Sequence, residues 1–213
     1  MTHKISGHWC ARILYENHRS DNNGFGLHLL ICAMVGDRLG VDAYTAKNHL
    51  DGNPRKGVSY VLRDCGERVG DAFPDLPREA RFALVDGDAL HTELGMPATS
   101  DLDARRAELT KRYPEVQMFT PDAPTANGSN TEALLRSAAQ GLGYAEDDRT
   151  LVSALGKNRN ARDKIFFAAA DSPTPSVRAL FRERQPSVAK LVDALAELVR
   201  PRLHAPAAPA TAT

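Results

Sequence analysis

The chain has 213 residues, 42% of them hydrophobic, with 27 Lys plus Arg against 27 Asp plus Glu, so its formal net charge is zero. That length suits one α/β unit with a sizeable core and a helical appendage, and the charge balance excludes a uniformly basic or acidic surface, so a phosphate-binding patch must come from local clustering. No apolar run is long enough to cross a bilayer, the first residues lack a signal-peptide core, and Cys10, Cys32 and Cys65 are too widely spaced for a disulfide framework or zinc site; a cytoplasmic setting without membrane contact is expected.

Residues 11–16, Ala-Arg-Ile-Leu-Tyr-Glu, are short, apolar and end on an acid, the pattern of a buried strand that delivers Glu16 to its carboxyl end. A polar loop over 17–26 leads to residues 27–35, apolar all round as in a buried helix, which Gly40 ends. Residues 41–44 predict a short second strand. Residues 48–57, Asn-His-Leu-Asp-Gly-Asn-Pro-Arg-Lys-Gly, have turn composition and carry Arg55 and Lys56 to the mouth of a helix over 58–65. A basic pair beside a helix N-terminus can hold a phosphate, and can equally be two solvated surface cations.

The stretch Arg-Phe-Ala-Leu-Val-Asp-Gly-Asp over 81–88 organises the rest. Its apolar run reads as a buried strand of a parallel sheet, with Asp86 and Asp88 at the carboxyl end, where open α/β sheets keep their chemistry. The intervening Gly87 lets the backbone turn so that both carboxylates lean toward one point, and hard oxygen ligands there suit Mg2+ or Mn2+. Asp-Gly also begins ordinary turns. A charged, exposed-looking helix over 101–112 and a fourth strand over 116–121 follow. Ser129 or Asn130 caps the next helix and places Glu132 in its first turn, as a fourth carboxylate or as a complement to the helix dipole.

Beyond residue 147 strands give way to amphipathic helices over 150–155, 159–170, 177–184 and 187–199, the last with a packing stripe of Val188, Leu191, Val192, Leu195 and Leu198. Lys157, Arg159, Arg162 and Lys164 cluster around one helix start, as a solvated face or a phosphate-binding surface. The expected division is an α/β core over 1–145, a helical region over 146–204 packed on it, and a disordered Ala/Pro/Thr-rich tail over 205–213. Of the scattered histidines, His18 and His91 lie just beyond acidic strand ends. Phosphate-loop, dinucleotide-fingerprint, serine-hydrolase and zinc-protease motifs are absent.

The order strand-Glu, loop, helix, short strand, basic loop, helix, strand-Asp-x-Asp resembles a Toprim domain, the catalytic fold of topoisomerases, primases and nucleases of the overcoming-lysogenization-defect type. The resemblance covers roughly residues 8–140 and matches Glu16 to the family's glutamate and Asp86 and Asp88 to its paired aspartates. It departs in carrying Asn17 where the family has glycine, and in a wider spacing from Glu16 to Asp86. The resemblance implies a Toprim-like parallel sheet flanked by helices, with a C-terminal all-helical extension, and phosphodiester chemistry on Mg2+ or Mn2+. Asn130-Thr131-Glu132 also resembles the acidic helix start of some stand-alone Toprim-like bacterial defence proteins, which extends the implied metal set to Glu132.

Three function classes follow. The first is a metal-dependent nuclease in antiviral defence or nucleic-acid processing, with Glu16, Asp86 and Asp88 catalytic and metal-binding, Glu132 a further ligand, and Arg55, Lys56, Lys157, Arg159, Arg162 and Lys164 on the DNA or RNA backbone. The second is a non-catalytic partner subunit that docks another protein, or a second copy of itself, through the C-terminal helices. The third is a small-molecule phosphohydrolase using the same acids in a smaller pocket.

Overall fold

The computed structural model describes residues 9–16 and 25–203. Strand β1 (Ala11–Glu16) is followed by the long helix α1 (Phe25–Leu39), the short α2 (Ala43–Lys47) and strand β2 (Leu50–Arg55). Helices α3 (Val58–Cys65) and α4 (Val69–Ala72) precede β3 (Arg81–Leu84); α5 (Leu90–Glu93) and α6 (Leu102–Arg112) precede β4 (Gln117–Phe119). Five helices complete the described chain: α7 (Thr131–Gly141), α8 (Arg149–Leu155), α9 (Arg159–Ala170), α10 (Pro175–Arg184) and α11 (Pro186–Leu203).

The four strands form one parallel sheet in the order β2-β1-β3-β4. This is the α/β architecture expected from the sequence, a parallel sheet flanked by helices with further helices at the C-terminal end. Alternation along the strands feeds two cores. Ile13, Tyr15, Phe82 and Leu84 pack with α1 and with α7 to α11, while Leu14, Ala83 and Val85 pack with α3 to α6. A sheet covered on both faces needs apolar residues at successive positions, which is why β1 and β3 read as continuous apolar runs.

Residues 41–44 are not a strand. Asp42 caps α2, its Oδ1 accepting the Tyr44 and Thr45 amides at 2.9 Å each. The second strand instead runs through the segment whose composition reads as a turn, and it carries Gly52 and Pro54. The sheet order explains this. β2 is an edge strand paired only with β1, and an edge tolerates proline because one side of the ladder asks nothing of its amide. The helix over 102–112 is also less exposed than its charge suggests, with Arg105 fully buried and Leu109 beside it in the core.

Most of the apolar stripe of α11 is packed within the chain: Val188, Leu191, Val192 and Leu195 lie in the same core as α1 and the sheet, and Leu198 is half-buried against it. Cys10, Cys32 and Cys65 are buried and free. Among the described residues no helix is long and apolar enough to cross a membrane. His18, the signal-peptide reading and the tail over 205–213 lie outside the described residues.

Gly52 is required by close approach: a Cβ there would stand 2.4 Å from Cγ of His28, whose ring lies against the strand. Gly52→Ala is expected to cost about 1–3 kcal/mol in urea unfolding. Gly70→Ala in α4, where a Cβ meets nothing within 4 Å, is expected to be neutral or slightly stabilising.

Candidate functional site

The chain runs outward from β1 to β2, then returns past β1 to β3 and β4, so the topological switch point lies between β1 and β3. Glu16 is the last residue of β1. Tyr15 is in register with Leu84, the last residue of β3, and Asp86 follows two residues later. The two carboxyls consequently come to adjacent strand ends at the crevice, where the Asp86 side chain is one of the influences that lower the Glu16 pKa.

Electrostatics agrees with that arrangement. Burial first, then the charges of Asp88 and Glu132, push the Glu16 carboxyl up to about 7. Burial and the Glu16 charge push Asp86, only 6% exposed, well above the usual carboxylate range. The backbone amide of Thr131 pulls the other way, and the Thr131 hydroxyl donates to the Asp86 carboxylate at 3.2 Å from each oxygen. Asp88 Oδ1 accepts its neighbouring Ala89 amide at 2.7 Å, and Oδ2 accepts Asn130 Nδ2 at 3.3 Å. All four acids singled out in the sequence thus act on one another at one strand edge.

The loop that presents Asp86 and Asp88 is held from outside. The Gly87 amide donates to the Ser129 carbonyl at 2.5 Å, and a Cβ on Gly87 would stand 2.6 Å from Ser129 Oγ. Gly87 is thus required by the close packing of the two loops rather than by a sharp backbone turn. Buried Arg105 donates through Nη1 to the Gly87 carbonyl at 2.8 Å and the Asp88 carbonyl at 3.0 Å, and through Nη2 to the Ala98 carbonyl at 2.9 Å. Arg105 is a positioning residue that the sequence did not announce. Thr131 and Asn130 were readable only as a helix start, although both also hold carboxylates of the site.

The cations divide by geometry. Arg55 stands opposite Glu16 in the β1–β2 register, but its guanidinium is occupied by Asp64 at 2.5 Å and by Asn53. Lys56 is exposed beside it, just before α3, whose Gly57 cap lies against Glu16. Arg162 reaches the acids, bonding Glu132 and the Ala154 carbonyl, and its charge lowers the Glu16 pKa. Lys157 and Lys164 are exposed, and the Arg159 side chain lies outside what is described. His91 turns Nδ1 to the Asp88 carbonyl at 2.9 Å.

Among the described residues no group of three or more His, Cys, Asp or Glu stands ready-made around a cation-sized point. No protein-family model matches the chain, and no match was found to a curated protein or a solved structure.

The raised Glu16 pKa makes a signed prediction. A carboxyl that holds its proton more tightly folded than unfolded supports the fold below its ordinary value of 4.5 and loses that support as pH rises through about 7. Glu16→Gln, neutral at every pH, is therefore expected to be more stable than the parent by about 2 kcal/mol above pH 7.5 in EDTA, with the gap closing toward pH 4.5 in thermal melts.

Proposed function

We propose that the protein is a divalent-metal-dependent phosphodiesterase acting on nucleic acid, with a Toprim-like arrangement of its acids. The observation that carries this reading is the pair of buried carboxyls, Glu16 and Asp86, both pushed above the usual carboxylate range at the β1/β3 switch point, with Asp88 and Glu132 in electrostatic reach. A buried acid cluster that costs stability is what a site kept for chemistry looks like.

The donor set fits Mg2+ or Mn2+ in kind: every candidate ligand is a hard oxygen, and the burial and neighbouring negative charges that raise Glu16 and Asp86 are what a cation would relieve. Glu16, Asp86 and Asp88 would hold the ion, with Glu132 released from Arg162 as a further ligand. Such an ion supplies neutralisation of the phosphoryl oxygens and acidification of an attacking water. The chain's own residues do the rest. Thr131 and Asn130 orient Asp86 and Asp88, Arg105 fixes the loop that carries them, and the exposed Lys56 and Lys164 would meet the nucleic-acid backbone. A cytoplasmic role in defence or nucleic-acid processing accords with three free cysteines and this chemistry.

A second reading, a scaffold without catalysis, is favoured by one observation: among the described residues the acids are engaged with Arg162, Asn130, the Ala89 amide and each other, not gathered round an ion. Calorimetry separates the two. On the first reading Mn2+ binds with measurable heat and supports cleavage of labelled single- or double-stranded DNA or RNA, and Asp86→Asn abolishes both. On the second neither occurs.

Thr131→Val, which removes a hydroxyl from Asp86 and leaves the carboxylate in place, is expected to weaken Mn2+ binding by about 10- to 100-fold. Cleavage at saturating metal should fall less than binding, which calorimetry alongside a metal titration of the rate would read.

A further inference from the structure

Away from the carboxylates, the outer flank of β2 carries a cleft of about 460 Å³ lined by Trp9, Phe25, His28, Lys47, Asn48 and Gly52, among others. Its volume is in the range of small-molecule sites. His28 is the anomaly. The residue is only 3% exposed, yet among the described residues neither Nδ1 nor Nε2 has a hydrogen-bond partner. Buried polar atoms are satisfied as a rule, so two idle ring nitrogens at a cleft wall point to a ligand that would pair with them. Burial, and secondarily the Lys47 charge, push the imidazole down to about 4, so at neutral pH it presents one donor and one acceptor.

The rim is equally specific. Trp9 and Phe25 are 38% and 49% exposed, aromatic faces left uncovered where most of the chain's large apolar side chains are packed away. Lys47 Nζ stands 5.8 Å from the Phe25 ring centroid. An aliphatic ligand would leave His28 unpaired, and a free anion would leave the aromatic faces uncovered. A planar heteroaromatic ring whose polar edge meets one nitrogen of His28, carrying an anionic group toward Lys47 and away from Asp51, which lines the same cleft and is paired with Arg12, answers to each of these features.

We propose that this cleft binds a nucleobase, stacked against Trp9 and Phe25, paired at its edge with His28, and with its phosphate met by Lys47. The base belongs either to a nucleic-acid strand or to a free nucleotide. Phe25 also lines a neighbouring cleft of about 420 Å³ with Asn160, Asp163, Lys164 and Phe167, at the start of α9, the helix whose Arg162 bonds Glu132. A strand leaving the carboxylate site along this path would present its flanking base to His28. Only that source rests on the phosphodiester reading; base binding itself does not.

Trp9 is the only tryptophan, so its fluorescence reports the cleft directly. The full-length protein in EDTA is titrated with AMP, with a single-stranded hexanucleotide and with ribose 5-phosphate. Saturable quenching by AMP or the hexanucleotide, but not by ribose 5-phosphate, is expected, weakened about tenfold or more by Phe25→Ala and by His28→Phe. Lys47→Ala should weaken AMP binding while sparing adenosine. Tighter binding of the hexanucleotide than of AMP assigns the base to a strand; equal binding assigns a free nucleotide. Asp86→Asn should bind AMP as the parent does, which keeps this result separate from the fate of the carboxylate site. No saturable quenching by either nucleotide probe, or affinities unchanged in Phe25→Ala with its exposed side chain, would overturn the proposal.

Discussion

The structure depends on two carboxyls being held together where they would rather not be. Parallel pairing of β1 with β3 puts Glu16 and Asp86 at adjacent strand ends, and the helices on both faces remove the water that would otherwise keep them charged and apart. Removing two like charges from water costs more than their environment returns, so both groups titrate high. A chain selected only for stability has a simple escape, an amide at either position. The acids persist beside a loop that Arg105, Ser129 and Thr131 hold in place by hydrogen bonds at 2.5–3.2 Å.

That support reaches into the C-terminal helices, which serve as part of the site's frame. The β4–α7 connection, which leads to Asn130, Thr131 and Glu132, is pinned at Asp122. There the carboxylate accepts Arg106 Nη2 at 2.7 Å and the Ser187 amide at 2.6 Å, while Gln185 bonds the Asp122 amide and carbonyl at 2.8 and 3.1 Å. Residues more than sixty positions downstream therefore decide where α7 begins. Arg178 plays the matching part for α1, gripping both oxygens of Asp37 at 2.6 and 2.9 Å while donating to the carbonyls that end α9. α1, α9 and α11 thus share one core with the sheet, and Arg162 links α9 to Glu132.

What could be read from the sequence tracks how much of each element's fate was local. β1, α3 and α9 carry their own apolar pattern, and Asn130 announces its helix by capping it, so their places were legible. β2 was not, because Leu-Asp-Gly-Asn-Pro-Arg becomes a strand only through its neighbour: β1 supplies the ladder and His28 fills the space over Gly52. The acids were legible as residue types at strand ends. Their supports were not, since Arg105 lies in a helix of ordinary surface composition and its partners are backbone carbonyls, which leave no mark on sequence.

Charge sorting within a neutral chain bears on which reading of the site is the more economical. The charge of Glu16 raises Asp86, the charge of Asp88 raises both, and Glu132 is balanced by Arg162. Arg55, the cation nearest Glu16 in register, is already balanced by Asp64. Four acids thus gather at the crevice with Arg162 as their paired cation, while Lys56 is exposed just before α3 and Lys164 on α9. A scaffold gains nothing from that excess of acid. On the phosphodiesterase reading it has a use, since one divalent cation would neutralise it, and the lysines would then face an incoming phosphate across a site that no longer repels it.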